Sequence, residues 1–187
     1  MPRAFSAGIT TPRQTEGPFY PVGSQPDTDA DLTRVAGRED RATGEIILVR
    51  GRVLDTAGNP VTSARIVVWQ ANHHGRYDHP DDTNPAPLDP NFQGRALLRT
   101  DADGGYGFRT IKPGAYPMGS AERGGMRCQH IHFRINSPSE ELTTQMYFEG
   151  DPLIEQDRQY AHAPEGTRHL LVAKPERDAD SGLATFR

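Results

Sequence analysis

Arg127-Cys-Gln-His130-Ile-His132-Phe133, followed by Arg134 and Ile135, is the stretch from which the fold is read. As a β-strand, whose side chains alternate between faces, it sends His130 and His132 to one side and Ile131, Phe133 and Ile135 to the other. The strand then has an apolar back suited to a core and an imidazole front. Two imidazoles at i and i+2 on a rigid strand form a bidentate metal clamp, and histidine is the commonest protein metal ligand. The same His-x-His spacing also occurs on solvent-facing strands without metal, so the remaining donors have to come from the rest of the chain.

Outward from this stretch the chain reads as short strands separated by turns. Glu45–Leu54 carries Ile46, Ile47, Leu48, Val49 and Val53, and the turn after it offers Gly58 for a positive φ. Ala64–Gln70 is β-branched throughout its middle, Arg95–Thr100 and Tyr106–Ile111 flank the turn 101–105, and Leu142–Phe148 follows the histidines. Late strands are expected at His169–Ala173 and Leu183–Phe186, with one short helical turn within Leu153–Tyr160. Two loops stand out. Ala71–Gly94 is long and rich in Asp, Asn and Pro, and loops of that length without regular structure tend to be functional. Lys112–Met126 is shorter and Gly-rich. Residues 1–44, punctuated by Pro and Gly, read as an extended arm with turns. The pattern predicts an all-β fold, a β-sandwich spanning 45–187 preceded by that arm.

Composition agrees. The 187 residues include 19 Gly and 16 Pro with 34% hydrophobic residues, which disfavours long helical bundles. Lys and Arg number 21 against 25 Asp and Glu, a net charge of −4 without a basic stripe, so no nucleic-acid partner is expected. No run of about 18 apolar residues suggests a membrane span and no secretion signal is visible, and the lone Cys128 cannot form an internal disulfide. A cytoplasmic protein is expected. Cys128 reads as a small semi-buried filler.

Two tyrosines in the loops bear on the clamp: Tyr77 in Gly-Arg-Tyr-Asp-His79, and Tyr116 before Pro117. A phenol ionises near pH 10, so at neutral pH it ligates well only where a strongly Lewis-acidic cation displaces its proton. Fe(III) is such a cation, whereas zinc favours Cys, His and carboxylates. Each tyrosine taken singly also reads as a packed aromatic. His73, His74 and His79 are loop histidines and are left outside the ligand set.

Taken together, Trp69-Gln-Ala-Asn72, Gly75-Arg-Tyr77, Pro87–Phe92, Phe108–Gly114, Tyr116-Pro117, His130–Phe133 and Tyr147-Phe-Glu-Gly-Asp-Pro152 resemble the intradiol ring-cleavage dioxygenases. The likeness covers about residues 45–160 in order and is strongest to the protocatechuate 3,4-dioxygenase branch, its iron-bearing β subunit above all. The resemblance implies a non-haem Fe(III) cofactor held by Tyr77, Tyr116, His130 and His132, with Tyr116 and His132 axial. It implies a catechol-type substrate, protocatechuate-like, opened with O2 between its hydroxylated carbons to a cis,cis-muconate. It assigns Arg127 to the substrate ring, Gln145 to the pocket wall, and Tyr116 a second role as the base released when substrate binds. An oligomer is expected, of this chain alone or with a homologous second subunit. Three positions depart from that branch: Met118 stands where it has Trp, and Arg127-Cys-Gln-His130 where it has Arg-Pro-Ala-His.

Two other classes remain open at this level. The scaffold motifs also suit a non-catalytic transthyretin-like or carboxypeptidase-regulatory-like β-sandwich binding module. A zinc hydrolase would use His130, His132 and an acidic third ligand.

Overall fold

Two sheets stack face to face in a computed structural model that describes residues 9–25, 27–118, 125–138 and 140–187. The start of the expected arm (1–8), position 26, the Gly-rich part of the second loop (119–124) and position 139 lie outside the described residues. The strands in chain order are β1 (Ile46–Arg52), β2 (Arg65–Trp69), β3 (Arg95–Arg99), β4 (Gly105–Ile111), β5 (Tyr116–Pro117), β6 (Met126–Arg127), β7 (His130–Asn136), β8 (Glu141–Phe148), β9 (Val172–Ala173), β10 (Pro175–Arg177) and β11 (Ala184–Phe186). The outer sheet runs β10-β11-β1-β4, the inner sheet β3-β2-β7-β8-β9, and β5-β6 form a separate ribbon. The β-sandwich expected from the strand pattern is the fold observed.

Alternation explains which face goes where. Ile47, Val49 and Phe108 of the outer sheet meet Ile66, Val68, Ile131, Phe133 and Phe148 of the inner sheet in one core. The inner sheet is covered on its other face as well, which is why β2 reads Ile-Val-Val-Trp without polar alternation: Ile66 and Val68 face the core, Val67 and Trp69 the opposite layer. Phe148 and Phe186 join the two sheets edge to face, with ring centroids 4.8 Å apart. Phe148→Ala is expected to destabilise the protein by about 3–5 kcal/mol, read as a fall in urea midpoint at unchanged slope.

The arm is not a free extension. Leu32 is fully buried in the sandwich core, and the amides of Leu97 and Arg109 donate to the carbonyls of Thr28 and Ala30, so the arm caps the edges of both sheets. The turn after β1 forms as expected: Asp55 accepts from the amides of Ala57 and Asn59, and Gly58 takes φ +86°.

Three local expectations need correction. The run 127–133 is not one strand. It breaks at Cys128 and Gln129, whose amides donate to the carboxylates of Asp157 (3.0 Å) and Asp151 (2.8 Å) instead of to a neighbouring strand. Arg127 therefore belongs to the β5-β6 ribbon. The strand expected at His169–Ala173 is reduced to β9, because only Tyr147 and Phe148 of β8 offer it a paired edge; His169–Leu171 is a 3-10 turn. The helical turn within Leu153–Tyr160 becomes a 3-10 turn at Ile154–Gln156 and the helix α1 (Arg158–His162), and an unexpected helix α2 (Glu165–Arg168) follows. No helix of the described residues is long and apolar enough to cross a membrane.

Candidate metal and substrate site

The second face of the inner sheet carries the chemistry. Register places Trp69, His132 and Gln145 side by side across β2, β7 and β8, with His130 opposite Tyr147 in the next row. Trp69 stacks on His132, centroids 4.7 Å apart and planes at 11°, which fixes that imidazole against the sheet. The ribbon places Tyr116 directly opposite Arg127. Cross-strand neighbours share a face, so one phenol and one guanidinium are delivered together. Tyr77 arrives on the long loop, its amide donating to Asp82 at 2.7 Å.

Glycine lets the two tyrosine loops touch. Gly75, at φ +78°, leaves no room for a Cβ, which would lie 2.4 Å from the Ala115 carbonyl; at Gly114 a Cβ would lie 2.4 Å from the His73 carbonyl. Backbone thus packs on backbone, and the rings of Tyr77 and Tyr116 meet edge to face at 5.6 Å.

The four expected donors converge. His130 Nε2 lies 3.4 Å from the Tyr77 hydroxyl and 3.5 Å from that of Tyr116, and the His130 and His132 rings are 4.9 Å apart. His130 Nδ1 lies 2.6 Å from the Cys128 carbonyl. A carbonyl only accepts, so Nδ1 carries the proton and Nε2 presents a lone pair to the phenols. The buried Nδ1 of His132 has no hydrogen-bond partner among the described residues. Among the described residues no cluster of three or more His, Cys, Asp or Glu is placed to hold a metal, so the acidic ligand of a zinc hydrolase is missing there. The third and fourth donors within reach of the histidines are phenols. His73 and His74 are exposed and meet edge to face, while His79 accepts from the Asp81 amide and packs near Phe19.

Electrostatics follow from burial. Burial, then the neighbouring phenol of Tyr116, pushes Tyr77 well above the usual tyrosine value. Tyr116 is raised by burial too, against the pull of the Arg127 guanidinium. Both imidazoles are depressed, His130 by burial and Arg127, His132 by burial, His130 and Arg127. The protein alone thus holds two neutral imidazoles with available lone pairs and two phenols that ionise only when a strong cation joins them. This donor set fits Fe(III).

The depressed histidines also set a pH dependence. An unfolded chain takes up protons at these imidazoles near pH 6.5, and the folded chain does not. Their contribution to stability is complete above that value and is lost as pH falls below it. The unfolding free energy of the metal-free protein, read from its urea midpoint, is expected to drop between pH 7 and pH 5, by up to about 1.4 kcal/mol per pH unit for each histidine. A midpoint unchanged over that range would show that the imidazoles are not held neutral.

Around the donors lies a hydrogen-bonded frame. Arg127, 4% exposed, donates from Nε to Asp157 at 2.8 Å and from Nη2 to the Gln145 side-chain oxygen at 2.6 Å. Gln145 in turn donates to the Thr15 carbonyl of the arm, and the Tyr147 hydroxyl is within reach of both Gln14 and Gln145. The arm itself roofs the site. Phe19 packs 4.8 Å from the Tyr77 ring, and a Cβ on Gly17 would lie 3.5 Å from His132 Cε1. A cavity of about 500 Å3 opens beside this frame, with Tyr116 and Arg127 in its lining together with Thr15, Phe19, Asn84, Met118 and Gln159. A cleft of similar size, about 530 Å3, opens between the sheets near Val53, Tyr106, Ile135 and Met146, away from these donors.

All six residues singled out from sequence, Tyr77, Tyr116, Arg127, His130, His132 and Gln145, are gathered here. Sequence reading missed Asp157, Trp69, Asp82 and the arm residues Thr15, Gly17 and Phe19. Asp157 precedes a helical stretch as an N-cap signal, but nothing local marks it as the partner of Arg127.

Comparison with known proteins places this architecture. The dioxygenase family model matches residues 15–186. The chain is 44% identical over 164 residues to a protocatechuate 3,4-dioxygenase beta chain from Burkholderia cepacia, covering 87% of this chain and 69% of that protein. It is 37% identical over 162 residues to catechol 1,2-dioxygenase 2 from Acinetobacter lwoffii, covering 81% of this chain and 56% of that one, so it spans little more than half of the catechol relative. Among solved structures, the dioxygenase domain of a dioxygenase carbohydrate-binding protein fusion from Streptomyces sp. SirexAA-E superposes with a TM-score of 0.67 at 28% identity, covering 95% of this chain and 94% of that one. The chain belongs to the intradiol ring-cleavage dioxygenase family.

Proposed function

We propose that this protein is a non-haem Fe(III) dioxygenase that opens a catechol-type ring between its two hydroxylated carbons, placing both atoms of O2 in a cis,cis-muconate product. Tyr77, Tyr116, His130 and His132 would hold the metal. The observation that carries this reading is the convergence of two buried phenols on the Nε2 lone pair of His130, beside a second neutral imidazole. Bound there, Fe(III) supplies the Lewis acidity that lets phenols and a catechol lose their protons at neutral pH.

The residues of the chain divide the remaining work. Tyr116, which lines the cavity, would accept one catechol proton at its phenolate oxygen. Arg127 presents a fixed cation beside the ring, where charge builds up as bonding to oxygen proceeds, and a cation already oriented in a water-poor site acts strongly. Gln145 holds that guanidinium from the sheet side and ties it to Thr15, so the arm excludes water from the donors. His130, fixed by the Cys128 carbonyl, keeps its lone pair aimed at the phenols.

A protocatechuate-like ring is the first substrate to test, followed by catechol and hydroxyquinol, and the identity to the Burkholderia cepacia beta chain supports that order. We assign the protein to an oligomer, homomeric or with a homologous second subunit, and to the cytoplasm, where its single buried cysteine needs no partner. We also keep the division into an arm of 1–44 and a sandwich of 45–187 as part of this reading. The purified protein is expected to contain stoichiometric iron and to be red-brown from tyrosinate-to-Fe(III) charge transfer, with an absorption that shifts when catechol is added without O2. A protein that stays colourless after reconstitution with Fe(III) would return the chain to a non-catalytic binding module on the same scaffold.

A further inference from the structure

Asp157 is fully buried, and its carboxylate accepts four hydrogen bonds. Its Oδ2 accepts from Arg127 Nε at 2.8 Å and from the Cys128 amide at 3.0 Å. Its Oδ1 accepts from the amides of Gln159 at 2.8 Å and Tyr160 at 3.2 Å, the first turn of α1. One carboxylate therefore joins three things: the guanidinium over the cavity, the break that separates Arg127 from the His130 strand, and the start of the helix behind it. Burial opposes its ionisation, but the Arg127 charge and these hydrogen bonds hold it below the usual carboxylate value. A capping role alone needs only Oδ1, and Ser, Thr or Asn would serve it. The second oxygen is committed to Arg127 and Cys128.

Resting on the reading that Arg127 acts on the substrate ring, we propose that Asp157 is the positioning residue for Arg127. Through its Oδ2, Asp157 fixes the guanidinium over the cavity while α1 fixes Asp157. Gln145 alone does not do this, because it engages only Nη2 and leaves the Nε edge free to rotate. An amide at 157 cannot replace the carboxylate, since its NH2 group would face a donor in either orientation.

The test is a double-mutant cycle on the iron-loaded protein. Asp157→Asn is expected to retain iron and colour and to lower kcat per bound iron by about 100-fold, approaching Arg127→Ala, with a smaller change in KM. Combined with Arg127→Ala it is expected to cost no further activity, and to raise the melting temperature above that of Arg127→Ala alone, because the unpaired buried charge is gone. A purely structural Asp157 would instead lower stability in both backgrounds and leave kcat per iron within about twofold of the parent; that result, or activity losses that multiply in the double variant, overturns the proposal. Asp157→Ser, which keeps an oxygen for the α1 amides, gives the same readout if the asparagine variant does not fold. If the parent protein itself binds no iron and consumes no O2 with any catechol, the underlying reading fails and this role falls with it.

Discussion

Replacing His130 with alanine is expected to strip the protein of iron and colour and to depress turnover by more than about 10³-fold. The bound is set by comparison with outer-shell partners of metal ligands, whose loss already costs about 10–100-fold. His130 is the hub of the donor set, with both phenol oxygens facing its Nε2 and its Nδ1 fixed on the Cys128 carbonyl. No other imidazole is placed to substitute for it. His132 is held by stacking on Trp69, and His73 and His74 are exposed and packed on each other. Iron analysis and visible absorption of the variant, with His73→Ala as control, check the expectation. Retention of iron and colour in His130→Ala would remove His130 from the ligand set.

Arg127→Ala is expected to separate binding of the metal from turnover. The Arg127 guanidinium donates to Asp157 and Gln145 and to none of the four donor side chains, so iron content and colour should persist, while kcat per bound iron falls by about 10²–10³-fold. The same change leaves Asp157 as a buried carboxylate without its cation, so a loss of about 3–5 kcal/mol in stability is expected alongside. Arg127→Lys should recover little of the turnover, because an ammonium cannot span Asp157 and Gln145 as the planar guanidinium does. O2 uptake with saturating catechol, normalised to iron, is the measurement. Full turnover in Arg127→Ala would end its role at the substrate ring.

How much of this was legible in advance depended on whether the information was local. The alternation in His130–Ile135 contains its own answer, since an apolar residue beside each histidine fixes which face meets the core. Gly58 likewise announces its turn through the neighbouring Asp55. The break at Cys128 and Gln129 was invisible because its cause lies more than twenty residues downstream, in Asp151 and Asp157. For the same reason the roof of the site went unread. Thr15, Gly17 and Phe19 sit in a Pro- and Gly-punctuated arm with no strand or helix period, and only the fold brings them over His132 and Tyr77. Family motifs pointed to Tyr77, Tyr116, Arg127, His130 and His132 because those residues recur at recognisable spacings, whereas the stacking of Trp69 on His132 follows from register.

The parallel pairing of β1 with β11 has a kinetic consequence. Ile47, Leu48 and Val49 lie beside Ala184, Thr185 and Phe186, so the outer sheet joins residues from near the start of the sandwich to the last few of the sequence. Such a contact closes a loop of most of the chain, and its entropy must be paid before the pairing returns any stability. The β1–β11 pairing therefore forms later in folding than the more local pairing of β1 with β4, and refolding belongs on the millisecond-to-second scale typical of non-local β topologies. Until it forms, β1 keeps an unpaired edge, and the partly folded chain is at its most prone to associate with other copies.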